Sequence, residues 1–178
     1  MLPLGTPAPA FRLPDTSGKI VSLADFKTSD ALLIIFMCNH CPYVKHIRHE
    51  LAELAGEYQA RRVAVVGINS NDAANYPDDS PARMVEEVKH IGYSFPYLYD
   101  ETQAVAKAYG AVCTPDFFGY DGTLKLQYRG RLDDAGRSAK PDAPRELFNA
   151  MVEVARTGRG PAVQAVSMGC SIKWKNAG

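Results

Sequence analysis

Ala31-Leu32-Leu33-Ile34-Ile35-Phe36-Met37-Cys38-Asn39-His40-Cys41-Pro42-Tyr43-Val44 is the stretch whose reading decides the fold. The unbroken apolar run Ala31–Met37 describes a strand buried on both faces, as in the centre of a covered sheet. From Cys41 the apolar positions fall at Val44, Ile47, Leu51, Leu54 and Tyr58. That 3-4-3-4 spacing lines one face of a helix of about five turns. Pro42 falls in its first turn, where a missing N–H costs nothing. Between strand and helix stand two cysteines three apart. The free amides and positive dipole end of a helix start favour an anion, so a thiolate is stabilised there. A dithiol with one low-pKa sulfur suits electron exchange with disulfides or peroxides.

Downstream, Val63–Ile68 reads as a second buried strand, and a helix between two strands makes a parallel crossover. Asn69–Asp79 is polar and turn-rich and reads as a loop. Ser80-Pro81 is a cap followed by a first-turn proline. Met84, Val85, Val88 and Ile91 then mark a helix that ends at Gly92. Phe95–Tyr99 is a short strand, and Thr102–Tyr109 a brief helix stopped by Gly110. Phe117–Tyr120 and Leu124–Tyr128 flank Asp121-Gly122-Thr123, a hairpin signal. Gly130–Pro141 is a charged loop. A last helix carries Leu147, Met151 and Val154, capped near Asp142 and ended at Gly158.

Upstream, residues 1–10 form an extended arm with Pro3, Pro7 and Pro9. Short β pieces at Phe11–Leu13 and Lys19–Val21 surround the turn Asp15–Gly18. The chain reads as one domain over 1–178, with residues 1–30 as an N-terminal extension and hairpin. Residues 159–178 form a tail over the surface. The fold class is α/β, three layers around a mixed central sheet.

The 178 residues carry 20 Lys+Arg against 20 Asp+Glu, for a formal net charge of zero. There is no basic stripe for nucleic acid and no polybasic tail for a membrane. No apolar stretch is long enough to span a bilayer. The first residues lack the pattern of a signal peptide, so the expected compartment is the cytoplasm. Four cysteines in that compartment are reactive or metal-binding rather than structural staples.

This order, with Cys-x-x-Cys at the first strand-to-helix turn, resembles the thioredoxin fold. Gly5-Thr6-Pro7-Ala8-Pro9-Ala10-Phe11-Arg12-Leu13 is similar to the opening of peroxiredoxins, and Gly18–Phe26 continues that pattern. The helical insert between Ile68 and Val112 is typical of the same branch. Thr114-Pro115 before an apolar strand resembles the Thr–cis-Pro element that faces the dithiol in thioredoxin folds. With Phe36–Val44, Thr114–Phe118 and Gly169–Trp174, the chain resembles a bacterial, AhpC/TSA-related family of peroxiredoxin-like thioredoxin-fold proteins. These are described as thiol-disulfide isomerases or oxidoreductases. The chain also departs from those patterns. If Cys41-Pro42 is laid on the peroxiredoxin motif, Cys38 replaces its Thr, and no Arg stands near Thr114–Phe118. Thioredoxin's Trp and buried acid before the first cysteine are replaced by Met37 and Leu32.

The resemblance implies a thiol-disulfide oxidoreductase in which Cys38 attacks a substrate disulfide and Cys41 resolves the mixed disulfide. His40 resembles the histidine that lowers the first thiol's pKa in periplasmic disulfide oxidases. A cis Pro115 would offer the Thr114 backbone to an extended substrate strand. Cys113 is either a third exchange partner or a half-buried residue. Cys170 could pair with Cys113, meet the active site or be buried. His46 and His49, three apart, fall on the helix's polar face. The alternatives are a thiol peroxidase and a copper- or zinc-binding protein, soft sulfur suiting Cu(I). No cofactor or resident metal is expected. The expected partners are a protein or small-molecule disulfide and a thiol reductant, in a monomer or homodimer.

Overall fold

The computed structural model describes residues 2–176. In chain order the elements are β1 (Arg12–Pro14), β2 (Ile20–Ser22), β3 (Ala31–Phe36), α1 (Pro42–Ala60), β4 (Val63–Asn69) and α2 (Pro81–Ile91). Next come β5 (Tyr97–Tyr99), α3 (Ala104–Tyr109), β6 (Cys113–Thr114), β7 (Asp116–Asp121), β8 (Leu126–Gly130), α4 (Glu146–Thr157) and β9 (Cys170–Ser171). Single 3-10 turns stand at Leu23–Phe26 and Pro77–Asp79. The central sheet has the order β5-β4-β3-β7-β8. β3 lies parallel to β4 and antiparallel to β7, so the sheet is mixed, as the sequence order implies.

The pleat of β3 divides the interior. Ala31, Leu33 and Ile35 face a core built with α1, α2 and α4. Leu32, Ile34 and Phe36 face a second core with Phe11, Val21 and Tyr109. Successive side chains on a strand point to opposite faces, so one apolar run feeds both layers. On α1, Val44, Ile47, Leu51, Leu54 and Tyr58 are all buried, as their spacing requires. Ser80 caps α2 by accepting from the Arg83 amide, and Gly92 closes it in the left-handed region.

Two local readings are corrected. The last helix starts at Glu146 rather than near Asp142, because turns occupy the segment through Pro144. Much of the polar segment 69–79 is interior: Asn69, Ser70, Asn71, Asp72 and Asp79 are all buried. The tail lies docked on the domain, where its β9 pairs antiparallel with β6. The N-terminal arm covers the edge of β8, where the Gly5 amide donates to Leu126 and the Ala8 amide to Leu124. That removes an edge open to pairing with another chain.

Candidate active site

β3 ends at Phe36, and the Met37 amide still donates to Ile68 at 2.9 Å. Cys38 then leaves the sheet. The loop that follows is pinned at Asn39. Its amide donates to Asp79 Oδ1 at 2.7 Å, its Nδ2 donates to the Asp78 carbonyl at 2.9 Å, and its Oδ1 accepts from Tyr97 at 2.8 Å. The helix starts at Pro42 with Cys41 as its N-cap residue. Both sulfurs converge on Thr114, 76 and 73 positions away in sequence. Cys38 Sγ lies 3.4 Å from Thr114 Oγ1, and Cys41 Sγ donates to the Thr114 carbonyl at 3.3 Å. The Thr114–Pro115 peptide is cis.

The two sulfurs sit in different electrostatic surroundings. Both are buried, Cys38 at 0% and Cys41 at 1% exposure. The Cys38 thiol is pushed far up, first by its interaction with Cys41, then by burial and by the Asp79 charge. Cys41 is held well below the ordinary thiol range, first because the Cys38 thiol stabilises its anion. Burial opposes this, while Cys170 and the Val44 amide add to it. Cys41 N-caps α1, so the positive end of the helix lies beside the second cysteine. His40 brings a ring nitrogen within 4.8 Å of the Cys38 sulfur. Its Nδ1 contacts the Asp79 carboxylate and its ring stacks on Tyr76, with centroids 5.6 Å apart and planes 8° from parallel.

Asp79 is the residue that sequence reasoning missed. It is fully buried and accepts from the Asn39 amide and, at 2.9 Å, from Asn71 Nδ2. A buried acid beside the dithiol is thus supplied from the loop after β4, while Leu32 belongs to the apolar core. The one available signal was the acid directly before the Ser80 cap. Nothing in the polar composition of 69–79 announced that the segment folds inward. Among the described residues, Cys38, His40 and Asp79 bring donor atoms within 4.8 Å of one another, a set that could hold a metal ion. Both Asp79 oxygens already accept protein N–H groups, which weakens that use.

The register of β6 on β9 places Thr114 opposite Cys170 and Cys113 opposite Ser171. Cys170, half-buried, packs against the core that holds Cys38 and Cys41. Cys113 is buried, its Sγ donates to the Pro115 carbonyl at 3.6 Å, and burial raises its pKa. His46 and His49 lie exposed on the polar face of α1. The backbone edge at Thr114, expected to receive a substrate strand, is occupied by the chain's own β9. The groove beside Pro115 is filled as well: between Tyr43, Phe117 and Met168 about 20 Å³ remains.

The AhpC/TSA family model matches residues 4–134. A Mycobacterium tuberculosis protein named a peroxiredoxin, Rv2521, is 28% identical over 115 residues, 65% of this chain and 68% of its own length. The peroxiredoxin named bcp of Haemophilus influenzae is 26% identical over 129 residues, 71% of this chain and 78% of its own. A solved structure of hypothetical protein SMc02350 from Sinorhizobium meliloti superposes with TM-score 0.94 at 47% identity, covering 99% of this chain and 97% of that one. An uncharacterized conserved protein from Geobacillus kaustophilus gives TM-score 0.94 at 49% identity, covering 100% and 95%. The thioredoxin-fold peroxidoxin BcpB of Mycobacterium tuberculosis shares the fold, with TM-score 0.63 at 18% identity over 90% of this chain and all of that one. With the family model spanning most of its length, this chain belongs to the AhpC/TSA family of thioredoxin-fold redox enzymes.

Proposed function

We propose that the enzyme is a thiol-disulfide oxidoreductase in which Cys41 is the attacking thiolate and Cys38 a buried thiol that resolves the mixed disulfide. The observation that carries the reading is the convergence of both sulfurs on Thr114, at 3.4 and 3.3 Å. Cys41 thiolate attacks one sulfur of a substrate disulfide and the other sulfur leaves as a thiolate. Cys38, giving up its proton, then attacks Cys41 and releases the second substrate thiolate. The Asp79 carboxylate, beside Cys38, is the nearest buried base for that proton. The filled edge at Thr114 favours small disulfides over extended polypeptides. A polar cleft of about 430 Å³, lined by Asn39, His40, Lys45 and Arg48, opens beside the dithiol as a route for them. A small-molecule thiol would regenerate the enzyme, in the cytoplasm, where thiols are kept reduced.

A second reading, thiol peroxidase, is favoured by the place of Cys41: followed by proline and N-capping α1, it stands where the peroxiredoxin motif puts its reactive sulfur. The test is turnover of a small disulfide, and separately of hydrogen peroxide, by wild type, Cys41→Ser and Cys38→Ser. Disulfide turnover lost in Cys41→Ser supports the proposal, and retained turnover refutes it. Saturable peroxide consumption without disulfide turnover would establish the second reading.

A further inference from the structure

The C-terminal strand does more than cover an edge. Gly169 lies so close to β6 that a Cβ there would come 2.1 Å from the Thr114 carbonyl oxygen and 3.1 Å from the Pro115 nitrogen. Only glycine permits that approach, and the next residue is Cys170. The strand is held on both sides. Ser167 Oγ donates to Asp116 Oδ1 at 2.7 Å. The Ile172 amide donates to Val112 at 3.1 Å, and the Ile172 side chain is buried. The Lys173 amide donates to Asn71 Oδ1 at 2.8 Å, and the Lys175 amide to Gln103 Oε1 at 2.9 Å. Asn71 also donates to Asp79, so tail and dithiol loop share one buried polar network.

The result is a thiol held on the Thr114 side of the dithiol. Thr114 accepts from Cys41 through its carbonyl and faces Cys170 in the strand register. We propose that Cys170 is a third redox cysteine, an in-chain resolving thiol that forms a disulfide with Cys41. This rests on the reading of Cys41 as the attacking sulfur. Cys41 first takes one half of a substrate disulfide and expels the other half as a thiolate. Cys170 loses its proton to solvent and attacks the Cys41 sulfur. The Cys41–Cys170 bond forms, the bond to substrate breaks, and the second half leaves as a thiolate. Two protein thiols are oxidised and one disulfide is reduced. Cys170 is half-buried whereas Cys38 is sealed in, so the two resolving thiols approach Cys41 from different surroundings.

The experiment uses full-length protein and an aromatic disulfide whose released thiolate is coloured, followed by peptide mapping after acid quench. In Cys38→Ser the account expects release of both halves of the reagent and a Cys41–Cys170 disulfide. In Cys38→Ser/Cys170→Ser one half stays on Cys41. Gly169→Val, which drives the strand off Thr114, should abolish the Cys41–Cys170 link and leave Cys38–Cys41 formation intact in an otherwise wild-type chain. The proposal is overturned if Cys38→Ser stops at the mixed disulfide, or if Cys170 maps to Cys113 or stays alkylatable throughout. A failure of Cys41→Ser to block the first release refutes the assignment of the attacking sulfur instead, so the two failures are separable.

Discussion

At Cys41 a negative charge meets the N-terminus of α1 and the thiols of Cys38 and Cys170, whereas at Cys38 it would meet the buried Asp79 carboxylate. This asymmetry sets the pH dependence. The folded pKa of Cys41 lies below its unfolded value of about 8.5. Its contribution to the stability of the reduced enzyme is therefore complete above that unfolded value and is lost as pH falls through the folded one. Cys38 has the opposite sign, contributing below the unfolded pKa and losing that contribution as pH rises. Urea unfolding of reduced wild type should thus weaken, relative to Cys41→Ser, as pH is lowered from about 9 toward 5. A parallel pH course for the two proteins would contradict the assignment. Asp79→Asn removes the charge beside Cys38 and turns an amide toward the Asn39 and Asn71 donors. It should cost about 1–3 kcal/mol by urea unfolding. It should also bring the Cys38 thiol pKa down, seen as faster alkylation of Cys38 in a Cys41→Ser background.

At the scale of elements, three short pieces build the site around the end of β3: the start of α1, the 3-10 turn before α2, and β6 with β9. Ser80 links the second of these to its helix, since it caps α2 directly after Asp79. Ser80→Ala should cost about 1 kcal/mol in thermal or chemical unfolding. A change below experimental error would mean that the cap does not hold that turn. These pieces also mark the limit of what the sequence made legible. β3 and α1 were readable because their periodicity is long and both are decided by burial of apolar residues. The two-residue strands β6 and β9 have no periodicity to read, and their pairing joins residues more than fifty positions apart. The inward fold of Asn69–Asp79 was hidden because its polar side chains are satisfied by one another, a property of pairing rather than of composition. The identity of the N-cap cysteine escaped for a similar reason. Spacing shows that two sulfurs flank a helix start but leaves open which of them caps it.

In the whole molecule the two cores share β3, whose alternate residues feed each of them, so the site at its end depends on both. Phe118 is 0% exposed, edge-on to Phe36 at 5.6 Å and to Tyr109 at 6.0 Å, with Arg129 above its ring at 4.8 Å. Phe118→Ala should cost about 3–5 kcal/mol in denaturant unfolding. A cost below about 1 kcal/mol would show that the second core is not packed as described. The central claim is that this architecture makes Cys41 the reactive sulfur of an AhpC/TSA-family enzyme that has lost the peroxiredoxin threonine to a second cysteine. The most direct measurement is the alkylation rate of each cysteine against pH in the reduced full-length protein, resolved by peptide mass. The account predicts that Cys41 reacts first, with a midpoint well below that of an ordinary thiol, while Cys38 stays protected. Faster labelling of Cys38 at low pH, with Cys41 protected, would contradict it.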